Sequence, residues 1–237
     1  MYNKIILVLA LLVSSIGCSE QETNTTFDKN EQLIAINIFF NPDEFMMGKA
    51  KTANNAILTD YPHGFAFSSE YIPHITLLQL FVPTKDLDDV FKVVERTLSH
   101  IDISKFRLKA LKYKYYPVGK LGLNTIDIDT SEKIVHFQEN LIKAMAPYKV
   151  SGGTASAFFK TPKEPTITPE TIKYVEEFEL VATGENYTPH LTVGLASQSF
   201  LDDLLVNPYE QFSFTLTGLS ICQLGNLGTC RKLLKRW

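Results

Sequence analysis

A chain of 237 residues with 45% hydrophobic and 11% aromatic content has the apolar material for a substantial core, which excludes a disordered or low-complexity protein. Its 23 basic and 26 acidic residues leave a net charge of -3, which excludes a protein that lives on bulk DNA but leaves room for a local anion-binding patch.

The first residues are not fold. Residues 1–4 carry one positive charge, and 5–13 form an apolar run too short to span a bilayer comfortably. This is the pattern of an export signal over 1–17. The junction Ser15-Ile16-Gly17-Cys18 resembles the lipobox of bacterial lipoproteins, although Ser15 stands where that pattern usually has leucine. The resemblance implies lipid attachment at Cys18 and a place at the membrane of the cell envelope. An ordinary secretory signal with an incidental cysteine is the other reading. Residues 18–32 are polar and aperiodic, as in a disordered tether, and 33–237 hold the folded domain.

Residues 33–40, rich in Ile and Phe, predict a buried first strand. Asn41-Pro42-Asp43-Glu44 predicts a helix start, with Asn41 as cap and Pro42 at the first helical position. That helix should run to about residue 58 and stop before Tyr61-Pro62. A strand is possible over 63–69, and 71–82 holds the pattern Pro73-His74-Ile75-Thr76-Leu77. An amphipathic helix with Leu87, Val90, Phe91, Val94 and Leu98 on one face follows. Residues 106–116 and 121–128 form a hairpin, and a second helix carries Ile134, Phe137, Leu141 and Met145. Ser151-Gly152-Gly153 interrupts the pattern, a Pro-rich loop follows, and Thr168-Pro169-Glu170 opens another helix to about residue 181. Then comes Pro189-His190-Leu191-Thr192-Val193, a short helix over 198–206, and closing strands over 212–222 and 229–237. The order predicts an α+β fold with antiparallel strands flanked by helices, and a weak internal repeat.

The repeated pattern carries the chemistry. In a strand, side chains at i and i+2 leave on the same side, so each copy offers one imidazole and one hydroxyl while Ile75 or Leu191 faces the core. A tyrosine precedes each copy, Tyr71 and Tyr187. Two such strands facing each other would line a cleft with His74, Thr76, His190 and Thr192. Imidazole titrates near neutrality, with an ordinary pKa of about 6.5, so two of them can divide the base and acid roles at one phosphorus. The threonines can donate to nonbridging oxygens without adding charge. A single His-x-Thr is more often an ordinary pair on a buried strand, but two with matched flanks out of five histidines form a specific signal. No ligand-spaced His, Cys or Asp cluster stands elsewhere, so metal-independent chemistry without a cofactor is expected.

The other candidates favour plainer roles. His100 suits the end of a helix, His136 lies off its helix's apolar stripe, and His63 sits at a loop junction from which it could reach the cleft. Lys105, Arg107, Lys109, Lys112 and Lys114, interleaved with Tyr113, Tyr115 and Tyr116, suit a solvated strand face better than a nucleic-acid track. Phe158 and Phe159 are candidates for stacking a base at the cleft mouth. Given export, Cys222 and Cys230 flank a turn that could bring them together as a disulfide; two unpaired buried thiols are the alternative.

The two Pro-His-[Ile/Leu]-Thr-[Leu/Val] patterns, one per half, resemble the signature of the 2H phosphoesterase superfamily, which includes the 2'-5' RNA ligase-like RNA 2',3'-cyclic phosphodiesterases. The resemblance extends over about residues 30–237. It implies a bilobal, pseudo-symmetric domain of two antiparallel sheets flanked by helices around a central cleft, with His74 and His190 catalytic and Thr76 and Thr192 binding phosphate. The implied partner is a nucleotide or RNA-end phosphodiester; no DNA partner is expected, and a monomer is. The chain departs from the family where Val193 leads into Gly194-Leu195-Ala196 rather than a basic residue, and where 151–186 looks like an insertion. Two further readings stay open: an envelope lipoprotein that binds a nucleotide or another anion without turnover, and an envelope assembly protein whose histidines are structural.

Overall fold

The computed structural model describes residues 31–237. The expected leader, Cys18 and nearly all of the tether lie outside the described residues.

Among the described residues seven strands and six α-helices follow in the order β1 (Leu33–Pro42), α1 (Glu44–Asp60), β2 (Ile75–Pro83), α2 (Leu87–Leu98), β3 (Arg107–Val118), β4 (Leu121–Ile128), α3 (Glu132–Met145), α4 (Pro169–Glu176), α5 (Phe178–Val181), β5 (His190–Ser197), α6 (Gln198–Val206), β6 (Phe212–Leu224) and β7 (Cys230–Arg236). All the strand pairings are antiparallel. The long strand β6 is the spine. One of its edges takes β1 along 216–223; the other takes β3 along 212–215 and then β7 along 220–224. β1 carries β2 on its far side, and β3 carries β4 and then β5. The two expected sheets are thus two halves of one seven-stranded ladder, and the far edges of those halves meet through a single pair, Ile75 with Leu191.

The main core lies between this sheet and its helices. Phe40, Leu78, Leu80, Val90, Val94, Ile134, Phe137 and Leu141 bury the apolar faces of α2 and α3 against the first half. α1 packs on β5, so a helix from the first half supports the second. A smaller cluster, with Ala35, Phe81, Phe158, Ile167, Val175 and Leu224, seals the other face of β1 and β2 under residues from 150–175. This accounts for the near-continuous apolar runs of those strands, which are covered on both faces.

Local starts and stops differ from expectation in three places. Pro42 ends β1 because pairing with β6 persists to Leu216, and Asp43 is the helix cap. Its carboxylate accepts from the Met46 N–H at 2.9 Å and from the N–H and hydroxyl of Thr215 at 2.7 and 2.9 Å. Burial alone would raise the Asp43 pKa, but these accepted hydrogen bonds outweigh it and hold the group below its usual range. Residues 63–69 form no strand, because Asn54 on α1 takes their peptide groups: its amide donates to Phe65 O at 2.9 Å and accepts from Phe67 N at 3.2 Å. The helix expected from 168 breaks at Glu177 into α4 and α5.

Candidate active site

The one rung that joins β2 to β5 lies between the middle residues of the two repeated patterns. Ile75 and Leu191 pair directly, and both are fully buried. Neighbouring residues therefore leave on the opposite face, where His74, Thr76, His190 and Thr192 all line one cavity of about 510 Å³.

Each imidazole is held in the same way. His74 Nδ1 lies 2.7 Å from Ile72 O, and His190 Nδ1 lies 2.8 Å from Thr188 O. A carbonyl can only accept, so Nδ1 carries the hydrogen in both rings and Nε2 is the unengaged nitrogen. Ile72 is itself fixed, its N–H donating to Cys230 O at 3.1 Å. Phe39 lies against the His74 ring, centroid to centroid 5.2 Å, and Tyr116 lies 6.0 Å from that of His190.

Just beyond each threonine the strand carries one extra residue, Leu77 in β2 and Val193 in β5. Such bulges pull carbonyls out of the ladder, and buried carbonyls need other donors. A buried amide from a helix answers in both halves. Gln138 on α3 donates to Leu77 O at 2.8 Å, and Asn54 on α1 donates to Val193 O at 2.7 Å. Tyr187 adds a bond between the halves, its hydroxyl donating to Thr76 O at 3.0 Å. Tyr71 has a different role: its ring stacks on Phe65 at 5.1 Å and lies 4.1 Å beneath the guanidinium of the buried Arg231. After the β2 bulge Gln79 also reaches the cavity, and the Asn37 amide donates to Thr76 Oγ1 at 3.3 Å, leaving the threonine's own hydrogen free to point elsewhere.

The surroundings are low in polarity. By area each imidazole keeps an edge open to the cavity, yet dense protein surrounds both rings and disfavours their charged forms. Burial pushes the His74 pKa down to about 4, against the opposing effect of the Ile72 carbonyl and with the help of nearby His190. His190 is also lowered by burial; the Thr188 carbonyl and Asp127 resist the shift and Lys114 adds to it. Asp127 is the cross-strand partner of His190, and the Lys114 ammonium sits 4.6 Å above the Tyr116 ring.

Three loops and elements complete the walls. The β3–β4 hairpin gives Tyr116, Pro117 and Val118; α4 and α5 give Tyr174 and Phe178; the turn before β7 gives Leu227 and Gly228. That turn is closed by a disulfide between Cys222 and Cys230, whose Cα atoms are 5.7 Å apart. Leu227 and Gly228 have φ of 56° and 71°, a conformation that Gly adopts freely.

Other candidates lie elsewhere. Phe158 is buried edge-on against Phe81, and Phe159 flanks Arg231, so neither faces the cavity. Residues 151–186 do wall the site, but through Tyr174 and Phe178. His63, His100 and His136 are exposed and away from it. Of the alternating basic and tyrosine row, Tyr116 lines the cavity and Lys114 stands behind it, while Tyr113 packs edge-on against Tyr209 and the Tyr115 hydroxyl donates to the exposed Asp202. Sequence reasoning missed Gln79, Asn37, Asn54 and Gln138, although a polar residue inside an apolar strand or helix face was visible at each position.

A family model described as the 2'-5' RNA ligase superfamily matches residues 63–225, and the chain belongs to that superfamily. Membership supports phosphoester chemistry in general. A search of the curated proteins finds no match. Among solved structures, the chain is similar to TT0787 of Thermus thermophilus, at 13% identity and a TM-score of 0.49 over 86% of this chain and 97% of that one. It is similar to the PDE domain of MHV ns2, at 12% identity and 0.47 over 81% and 99%, and to E. coli LigT complexed with ATP, at 13% identity and 0.44 over 86% and 97%.

Proposed function

We propose that this cavity hydrolyses a phosphodiester, either a nucleoside 2',3'-cyclic phosphate or a related nucleotide or RNA-end diester. The observation that carries the reading is the meeting of the two His-x-Thr units at one rung, with two Nε2 atoms and two hydroxyls on one hollow. In this scheme one Nε2 takes a proton from the attacking water, and its oxygen bonds to phosphorus. The other imidazole, protonated, gives its proton to the departing sugar oxygen as the P–O bond breaks. Thr76 and Thr192 donate to the nonbridging oxygens, whose charge changes most along the path. The resting site favours neutral rings, and an anionic substrate supplies the field that draws one proton onto the pair.

The test uses the Cys18→Ser chain with cyclic mononucleotides in EDTA. The expected outcome is a phosphomonoester product, undiminished by chelation, with kcat lowered by about 10²–10⁴ in His74→Ala or His190→Ala. Full turnover after both substitutions would sink the reading. One observation favours a second reading: an imidazole with a pKa of about 4 is neutral at physiological pH and is no acid on its own. A site that binds a phosphate analogue but converts no diester would be a capture module.

We also propose that the protein works outside the cytoplasm, exported and anchored by lipid at Cys18. The junction before Cys18 motivates the anchor, and a disulfide at Cys222 and Cys230 suits an oxidising compartment. Labelled fatty acid that is incorporated equally by the Cys18→Ser chain would contradict the anchor.

A further inference from the structure

Resting on the phosphodiester reading, we propose that the site takes a small substrate with one negatively charged diester on one nucleoside-sized body, and disfavours the end of an RNA strand. Size is the first ground. A cavity of about 510 Å³ lies inside the range of roughly 300–1,000 Å³ typical of pockets that enclose a single small ligand. Tyr174, Phe178 and Val181 give it an apolar wall suited to a base or a similar flat body.

Charge is the second ground, and it is independent of the first. The groups placed to receive a phosphate are neutral at rest: two imidazoles and two hydroxyls. Among the described residues that line the cavity none is Lys or Arg, and the one charged residue is Glu170. Of α4 and α5 with the turn after them, Glu170 alone of the acids lines the cavity, and Glu176, Glu177, Glu179 and Glu185 stand on the same elements outside its lining, against Lys173. Two of these acids have cationic partners, Glu177 with Lys173 at 3.8 Å and Glu179 with Lys149 at 3.0 Å, and the wall stays negative.

The facing hairpin does carry Lys112, Lys114 and Lys120. Lys112 stands across the strands from Asp127, and Lys114 covers the Tyr116 ring. A strand of RNA adds one negative charge per nucleotide, so each residue beyond the first meets an acidic wall. A lone diester brings its charge only as far as the imidazoles.

The experiment compares kcat/KM of the full chain for a 2',3'-cyclic mononucleotide and for an RNA oligonucleotide ending in a 2',3'-cyclic phosphate, at low and high salt. The mononucleotide is expected to be preferred by about tenfold or more, corresponding to ~1.4 kcal/mol. Its rate should be nearly indifferent to salt, and the RNA rate should rise as salt screens the wall. The Glu170→Lys, Glu185→Lys double variant should raise the RNA rate relative to the mononucleotide rate. A preference for RNA whose rate falls with salt would overturn the proposal and leave the phosphodiester reading standing. An unchanged ratio in the double variant would also overturn it. Turnover of neither substrate would end both.

Discussion

Tyr187 joins the two repeated patterns more directly than either histidine does, because its hydroxyl, next to the second pattern, donates to the Thr76 carbonyl inside the first. Tyr187→Phe leaves that buried carbonyl without its partner, and the expected loss is about 1–3 kcal/mol. It should read as a lower urea midpoint at constant m-value. His74 sets a pH dependence whose sign follows from its lowered pKa. Between an unfolded value of about 6.5 and a native value of about 4, the unfolded chain binds the extra proton. Stability is therefore full above this window and falls as pH drops through it. His74→Gln should flatten that slope, measured as midpoint against pH. Under the proposed reaction the same depression would govern the rate profile of the free protein, because acid–base work at the pair needs one proton on it. The alkaline limb of kcat/KM should lie below the ordinary imidazole value, and a limb at or above it would count against the pair's assignment. That His74, Thr76, His190 and Thr192 share one hollow was legible from the duplicated pattern read with strand alternation. The roles of Tyr187, Gln138 and Asn54 were not, because their partners are main-chain carbonyls of strands far away in the chain. A trace of the bulge was nevertheless present, since Leu77-Leu78 breaks the alternation that His74 and Thr76 begin.

Among the elements, the turn between β6 and β7 has the largest effect for its length. The disulfide at its base holds Leu227 and Gly228 against the cavity and, through Cys230 O, anchors Ile72, whose carbonyl orients His74. Replacing both cysteines with serine should cost about 2–4 kcal/mol. It should also raise KM and lower kcat together, where a purely global loss of stability would leave both unchanged under folding conditions. β5 has its own sensitive point. Gly194, just past the bulge, has φ of 151°, and a Cβ there would come within 2.9 Å of Ile57 Cγ2. Gly194→Ala is thus expected to destabilise the chain, read by thermal midpoint. The amphipathic helices and the β3–β4 hairpin were readable because their periods are local. The extra residue at Leu111 went unread, although the shift in the basic alternation from Lys109 to Lys112 is its trace in the sequence. The start of α1, the non-strand over 63–69 and the burial of Phe158 were not readable, because strand β6, Asn54 and Phe81 decide them from far along the chain.

At the scale of the molecule, the α+β class and antiparallel pairing were legible, while continuity through β6 was not: nothing local in that strand reveals that it changes partners from β3 to β7 along one edge. The consequence lies at the opposite end of the ladder. Where β2 faces β5 only one ladder pair keeps the halves in register, so apart from the Tyr187–Thr76 bond and the packing of α1 on β5 this seam is thin. A phosphoryl group gripped from both sides would act as a cross-brace over that weak joint. Amide exchange at Ile75 and Leu191 should accordingly slow when inorganic phosphate or vanadate is added, and equal exchange with and without the anion would mean that it bridges nothing. Occupancy would then be legible as stiffness, in backbone hydrogens that never touch the guest.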